Sequence, residues 1–315
     1  MKNLSSLWVI GSGNMAQEYL KVLVSLKENF TIIGNRKKKV LKFKKIIKEK
    51  IIFGGLKNAL KRYQPPTRAI VAVNVEKLES ITIELLNKGV KEILIEKPGA
   101  LTSKAVLKIK NLANKKKSNV FIAYNRRFYK TVKLIKKISE LDGGIMSMNF
   151  EFTERTRSLK FRKRSGIVKR KWLIANSSHI IDLAFFICGR PKKWTSYSSG
   201  KVYWHPSSIR FSGAGITEKN ILFSYHSDWQ SPGQWSLEFM TKKRRLMLKP
   251  LEELKQIQFK SNKISKLKIN NKFDIKFKPG IFLQTKNFLE RKYSNLCHIE
   301  DHLKNIKIYE KIANY

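Results

Sequence analysis

The segment LWVIGSGNMAQEY, Leu7 to Tyr19, joins an apolar tetrapeptide to a glycine turn. Leu7-Trp8-Val9-Ile10 is a short run of the kind that a buried parallel strand shows. Gly11-Ser12-Gly13-Asn14-Met15-Ala16 fits G-x-G-x-x-G/A, and Gln17 to Leu26 continues as a helix. In that setting Gly11 allows the tight turn, Gly13 lets the backbone approach a pyrophosphate, and the small Ala16 permits close helix–strand packing. The helix N-terminus, at Asn14 and Met15, would offer N–H donors and the positive end of its dipole to phosphates. Taken alone the pattern is weak. A strand directly before it and a helix directly after it are what strengthen it.

Working outward, Phe30 to Ile33 reads as a second strand ending at Gly34-Asn35-Arg36, and Lys37 to Lys50 as a basic segment with apolar residues at helical spacing. Ala69 to Val73, Glu92 to Ile95 and Val120 to Ala123 are further core strands, separated by the helices Leu78 to Lys88 and Ser103 to Lys116. Strands alternating with amphipathic helices predict an α/β, doubly wound parallel sheet, a Rossmann domain over residues 1–123. After Ala123 the pattern changes. A helix (Lys130 to Leu141), a strand (Ile145 to Phe152) and a helix around His179 to Cys188 precede a Ser-, Trp-, Tyr- and Phe-rich stretch, Trp194 to Leu248. That stretch reads as antiparallel strands, so residues 124–315 are expected to form an α+β domain with a large, mostly antiparallel open sheet. The closing helix, about 300–313, is expected to pack back on the first domain.

Composition sets limits on function. The chain has 315 residues, 42% of them hydrophobic, with 18 Phe, 10 Tyr and 6 Trp, which argues for a folded globular protein. Ile180 to Cys188 is the longest apolar stretch, is interrupted by Asp182, and is too short to span a bilayer. Cys188 and Cys297 lack metal-type spacing, and reduced thiols in the cytosol are the expectation. The net charge of +43 invites a nucleic-acid partner. The lysines are spread over nearly every helix and loop, however, so solvated surface is the better reading.

The residue that follows the second strand bears on the cofactor. A dinucleotide site usually carries an acid there for the ribose 2′-hydroxyl. Here the place holds Asn35-Arg36, and Arg36 can bind a 2′-phosphate bidentately, so NADP is expected, with NAD the alternative. The other possibility for Arg36 is that it merely opens another basic run.

Glu96-Lys97-Pro98 after the fourth strand, AYNRRFY (Ala123 to Tyr129) after the next, and SSHIIDLAFFICG (Ser177 to Gly189) together resemble the glucose–fructose oxidoreductase/inositol dehydrogenase/MocA (Gfo/Idh/MocA) family. The resemblance covers nearly the whole chain, including the closing FLQTKNFLE…IEDHLKNIKIYEKI. It implies an NAD(P)-dependent oxidoreductase acting on a sugar, cyclitol or nucleotide-sugar, with the open sheet forming a homo-oligomer interface. Lys97 matches the family's lysine between nicotinamide and substrate. A lysine at a proline-stiffened strand end, near Arg126 and a cationic nicotinamide, would have its pKa pushed down towards general-base range. Glu96 resembles the family's cofactor-side acid, and Asn74 stands where the third strand would meet the cofactor. His179 matches the histidine of H-x-x-D, which contacts the reacting hydroxyl. Asp182, three residues on, shares its helical face and is expected to orient it. Tyr124, Asn125, Arg126 and Asn176 are the expected substrate neighbours. No metal site is expected.

One departure stands out. Many sugar-oxidising relatives carry an Asp four residues before the histidine, where this chain has Ala175. That places polyol oxidation in doubt and leaves open nucleotide-sugar oxidation, reduction of a non-sugar carbonyl or imine, or a non-catalytic NADP-binding regulator. Arg155 to Lys171 holds nine basic residues in seventeen and no acid. It is either a rim for an anionic small-molecule substrate or a solvated loop. Trp204, Tyr225, Trp229 and Trp235 could stack a sugar or base, and sheet packing is the expected use.

Overall fold

The computed structural model describes residues 4–35, 43, 50–156 and 159–315. Most of the basic segment Lys37 to Lys50, and Arg36 before it, therefore lie outside the described residues. The chain divides into two compact units, residues 1–125 with 273–304, and residues 126–272 with 305–315.

The first unit is built on six parallel strands: β1 (Leu7–Ile10), β2 (Thr31–Gly34), β3 (Ile51–Phe53), β4 (Arg68–Val71), β5 (Glu92–Glu96) and β6 (Asn119–Ala123). Their order is β6-β5-β4-β1-β2-β3, and a short strand, Cys297–His298, pairs antiparallel at the β6 edge. The chain runs outward in one direction from β1 to β3 and in the other from β4 to β6. The reversal at β1 opens a crevice at the carboxyl ends of the strands. Every residue of β1 is buried, as its unbroken apolar sequence requires of a strand covered on both faces. The helix α1 (Asn14–Ser25) buries Ala16, Tyr19, Leu20 and Leu23, the three-and-four spacing of one helical face. The helices α2 (Gly55–Arg62), α3 (Leu78–Asn87) and α4 (Ser103–Lys115) are the crossovers. The α4 helix is capped by Thr102, whose side chain accepts from the Ala105 amide at 3.2 Å. A later helix, Ile281–Leu289, packs beside α1.

The second unit carries an eight-stranded sheet. Its strands are β7 (Ser147–Phe152), β8 (Pro191–Ser199), β9 (Arg210–Thr217), β10 (Leu222–Asp228), β11 (Trp235–Met240), β12 (Arg244–Leu248), β13 (Lys255–Gln258) and β14 (Ser265–Lys266). They are ordered β14-β13-β12-β11-β7-β10-β9-β8. All neighbours are antiparallel except β7 and β10. Along β7, Met148, Phe150 and Phe152 are buried at every second position, the period of a half-covered sheet. Against that face lies α6 (Ser178–Cys188), preceded in the unit by α5 (Lys130–Leu141). The α6 helix is buried at every position but Phe186, whose ring is covered by Lys136 and by Arg127. The expected class, a Rossmann sheet plus a second, mostly antiparallel sheet, is the one observed. Cys188 and Cys297 are free and buried, and burial pushes the Cys188 thiol up to about 12.

Candidate functional site

In the first unit the expected cofactor residues, Arg36 apart, follow the carboxyl ends of the parallel strands. The registers Ile10↔Ile33, Ile10↔Val71, Val71↔Ile95 and Glu96↔Ala123 bring the strand ends level. Gly11 follows β1 with φ +137°, and a Cβ there would stand 2.2 Å from the Ala72 carbonyl oxygen. Only glycine fits. At Gly13 a Cβ would meet nothing within 4 Å, so this backbone faces open space where it caps α1. The first turn of α1, with Asn14 and Met15, contains no acid and no side-chain cap, so it presents backbone donors and the positive dipole end. Such a cradle fits the pyrophosphate of a dinucleotide.

Asn35 stands exposed just past β2, and its Oδ1 lies 3.2 Å from where a Cβ on Gly55 would be. Asn74 follows β4 and starts a short 3₁₀ turn. Glu96 ends β5, is buried, and accepts from the Tyr19 hydroxyl at 2.6 Å, which in turn accepts from Gln284 Nε2 at 3.1 Å. Burial holds the Glu96 carboxyl above its ordinary value, only partly offset by the Tyr19 hydrogen bond and the charge of Lys97. Lys97 follows directly and opens a turn through a cis Lys97–Pro98 bond. That turn is held by His302, whose Nε2 lies 2.7 Å from the Pro98 carbonyl oxygen. Past β6, Tyr124 is buried against the His302 ring, and the Asn125 amide donates to the Pro279 carbonyl at 2.8 Å.

In the second unit Arg126, Asn176 and Trp235 line one cavity of about 310 Å³. The Arg126 guanidinium lies 4.6 Å from the centre of the Trp235 ring, and the His179 ring centre is 6.3 Å from the same ring. Sequence-nominated Arg126, Asn176 and His179 are thus gathered around Trp235. Arg155 and Arg164 from the basic segment line the cavity, with Phe161 and Trp172 between them. The rest of that segment is used differently. Arg162 and Lys163 are exposed, Lys169 donates to the Arg162 carbonyl, and Lys171 stacks over Tyr315 at 3.8 Å. A second cavity of about 390 Å³ shares Glu154 and Arg155 with the first. Among the four aromatics, Tyr225 stacks on Phe150 and Trp229 on Trp204, while Trp235 faces the first cavity and Trp229 also lines the second.

Asp182 is engaged elsewhere than on His179 in the hydrogen bonds of the described residues. Arg127 binds its carboxylate with two bonds of 2.8 and 2.6 Å, and Asn305 and Tyr309 reach it at 3.4 and 3.5 Å. Two further residues escaped sequence reasoning. Arg127 is one, and Glu154 is the other. Glu154 is buried beyond the end of β7 and accepts from Asn176 Nδ2 at 2.8 Å and Ser177 Oγ at 2.6 Å. Arg127 lies within the quoted AYNRRFY motif and Glu154 just before the basic segment, but neither position announces its partners, which are 55 and 22–23 residues away. Among the described residues no group of three or more His, Cys, Asp or Glu is placed to hold a metal ion, and no helix is long and apolar enough to cross a membrane.

Residues 6–124 match a family described as an oxidoreductase family with an NAD-binding Rossmann fold, the Gfo/Idh/MocA family. Over this segment the chain is similar to the Gfo/Idh/MocA oxidoreductases. No curated protein matches the sequence. Solved structures of similar fold cover the chain from end to end. A dehydrogenase from Chromobacterium violaceum superposes with a TM-score of 0.79 at 12% identity, covering 100% of this chain and 95% of its own. An oxidoreductase from Agrobacterium radiobacter, in complex with NAD+, L-tartaric acid and magnesium, gives 0.77 at 14% identity, with 99% and 97% covered. The WlbA dehydrogenase from Bordetella pertussis, in complex with NADH and UDP-GlcNAcA, gives 0.73 at 14% identity, with 99% and 96% covered. These are likenesses of fold, and they cover the second unit as well as the first.

Proposed function

We propose that this protein is a cytosolic oxidoreductase of the Gfo/Idh/MocA type that moves a hydride between NADP and an anionic, carbohydrate-type substrate. The observation that carries the reading is the phosphate cradle of Gly11, Gly13 and the α1 N-terminus at the switch point of the parallel sheet. The nicotinamide supplies the hydride acceptor or donor. Lys97, at the end of β5, takes or returns the hydroxyl proton, and His179 shares that relay. Arg126, Arg155 and Arg164 in the second unit's cavity favour a substrate with negative charge, and Trp235, Trp172 and Phe161 offer flat apolar faces to a sugar ring. The sugar nucleotide and the hydroxy acid held by two structural relatives belong to that substrate class. The open sheet of the second unit is proposed as a homo-oligomer face.

Arg36, after β2, is the proposed ligand of the 2′-phosphate. Titrating NADPH and NADH by nicotinamide fluorescence against the wild type and Arg36→Ala tests this. NADPH should bind the wild type more tightly than NADH by roughly 1–3 kcal/mol, and the variant should lose most of that difference. Equal affinities remove the NADP preference, and binding of neither removes the oxidoreductase reading.

A further inference from the structure

Three connections of the second unit meet at one end of its sheet: residues 142–146 between α5 and β7, the β11–β12 turn at 241–243, and the loop 259–264 after β13. Hydrogen bonds join them. Lys243 Nζ donates to the Leu141 carbonyl at 3.3 Å, the Met146 amide to the Met240 carbonyl at 2.8 Å, and the Phe259 amide to the Lys243 carbonyl at 2.8 Å. Asp142 is buried there and is neutralised by Arg244, which binds it at 2.9 and 3.1 Å. On this corner Leu141, Met146 and Phe259 are 69%, 48% and 73% exposed. Apolar residues scattered singly over a surface need no partner, whereas three on connections bonded to one another make a local patch. The same connections and the end of α5 carry Lys137, Lys242, Lys243, Lys260 and Lys263, all exposed, with one exposed acid, Glu140. Lysines alone are an ordinary guard for the edge of a sheet. Leucine, methionine and phenylalanine beside them are not.

We propose that this corner docks the protein onto an anionic lipid surface, with Leu141, Met146 and Phe259 entering the headgroup region and the lysines meeting the lipid phosphates. The proposal does not depend on the oxidoreductase reading. An apolar cluster ringed by lysines adheres to a membrane from one side, with a strength set by the apolar area buried and by the charge near the surface. No membrane-crossing helix is needed. The three apolar side chains stand at a helix end, before a strand and in a loop, and a fluid lipid layer yields to each of them. A folded protein partner would have to offer each a separate pocket. An RNA strand would meet the lysines but gain little from leucine and methionine, because its bases stack on aromatic rings. The corner thus gives a use to part of the net charge of +43 that a small-molecule site does not call for.

Because the whole chain is so basic, attraction to anionic vesicles would by itself report only net charge, so the test compares variants of equal charge. The full chain is sedimented at physiological salt with sucrose-loaded vesicles of phosphatidylcholine containing about one-third phosphatidylglycerol, and with vesicles of phosphatidylcholine alone. The wild type should bind the mixed vesicles roughly ten-fold or more tightly than the neutral ones. Leu141→Ser/Phe259→Ser should weaken that binding by roughly ten-fold or more, while Tyr197→Ser/Tyr203→Ser, at two exposed positions elsewhere in the unit, should stay within about two-fold of wild type. Lys260→Gln/Lys263→Gln should cost roughly ten-fold, and Lys192→Gln/Lys193→Gln, the same charge loss at exposed positions on β8, about two-fold or less. Thermal melts show that each variant is folded, and the glutamine pairs keep the test decisive should the serine pair fold poorly. Equal losses in the two lysine pairs, or full binding by a folded Leu141→Ser/Phe259→Ser protein, overturn the proposal, as does a wild type that stays in the supernatant. Loss of oligouridylate binding instead of vesicle binding in Lys260→Gln/Lys263→Gln would assign the corner to RNA and overturns it as well.

Discussion

The Tyr19 hydroxyl donates to the Glu96 carboxylate at 2.6 Å, tying the first helix to the end of β5 across 77 residues of sequence. The bond joins the cradle helix to the strand that delivers Lys97. Burial raises the Glu96 carboxyl, and the Tyr19 bond opposes that rise. Tyr19→Phe should therefore lift it further and destabilise the fold by about 1–3 kcal/mol near neutral pH, where the carboxyl without its donor is most costly. The sign follows from linkage: a carboxyl raised in the folded state favours the protonated form, so the stability difference should narrow as pH falls and Glu96 takes a proton. Urea denaturation of both proteins across pH 5 to 8 measures it. A constant difference rules out Glu96 as the source.

The two turn glycines should fail in different ways. Gly11→Ala drives a Cβ to 2.2 Å from the Ala72 carbonyl at φ +137°, which should cost at least ~2 kcal/mol of stability. Gly13→Val projects into open space from an extended backbone and should cost about 1 kcal/mol or less. The same valine should nonetheless weaken NADPH binding by roughly ten-fold or more, since the open space is where the pyrophosphate is to lie. Thermal melts and nicotinamide fluorescence on both variants separate the two roles. A Gly13→Val protein with full NADPH affinity would move the phosphate site elsewhere.

Arg127 and Asp182 form an ion pair in which the side chains are 8% and 1% exposed. Breaking such a pair from one side leaves an uncompensated buried charge and costs about 3–5 kcal/mol. Asp182→Leu should therefore destabilise strongly, and the double variant Arg127→Leu/Asp182→Leu should recover a good part of the loss. Denaturant midpoints provide the comparison. A double variant as weak as the sum of both singles would show that the cost lies in packing rather than in the lone charge.

The elements that were legible in the sequence are those decided locally. The strand–glycine–helix unit at Leu7 to Leu26 needs only neighbours in sequence, and the alternation of apolar strands and amphipathic helices yields the doubly wound sheet. Periodicity marks which face of a helix is buried, but not what it is buried against. Tyr19 sits on the expected buried stripe of α1, yet its partner Gln284 lies 265 residues away. Helical spacing pairs Asp182 with His179, while the observed bonds to it come from Arg127, 55 residues earlier, and from the last helix. Glu154 has no motif around it at all. Its carboxylate is bonded by Asn176 and Ser177 in the π-turn before α6, a local departure from helical spacing that no apolar pattern announces.

The basic segment Arg155 to Lys171 divides into residues that line the cavity and residues that do not. Arg155→Gln/Arg164→Gln should weaken glucuronate binding by several-fold and reduce its salt dependence, because two unit charges leave the cavity wall. Arg162→Gln/Lys163→Gln, the same charge change at two exposed positions, should leave binding within about two-fold of wild type. Calorimetry at low and at physiological salt decides between a specific rim and a general cationic surface. Equal losses in both pairs would return the whole segment to solvated surface.

The proton relay is the most demanding test. Lys97→Met keeps much of the side chain's bulk but can neither accept nor donate a proton. General acid–base assistance is worth roughly a hundred- to ten-thousand-fold, so kcat should fall by about that factor while NADPH still binds. His179→Ala, which removes a buried ring on the first turn of α6, should cost less if the lysine is the principal proton carrier. Two residues that serve one proton are not additive. The double variant Lys97→Met/His179→Ala should thus be little slower than Lys97→Met alone. These rates are to be measured on the best substrate from a panel of glucuronate, sugar nucleotides and hydroxy acids, with kcat separated from KM. Multiplicative losses would assign the two residues to separate steps. Normal turnover by Lys97→Met would take the lysine out of the chemistry and leave His179 to carry the proton alone.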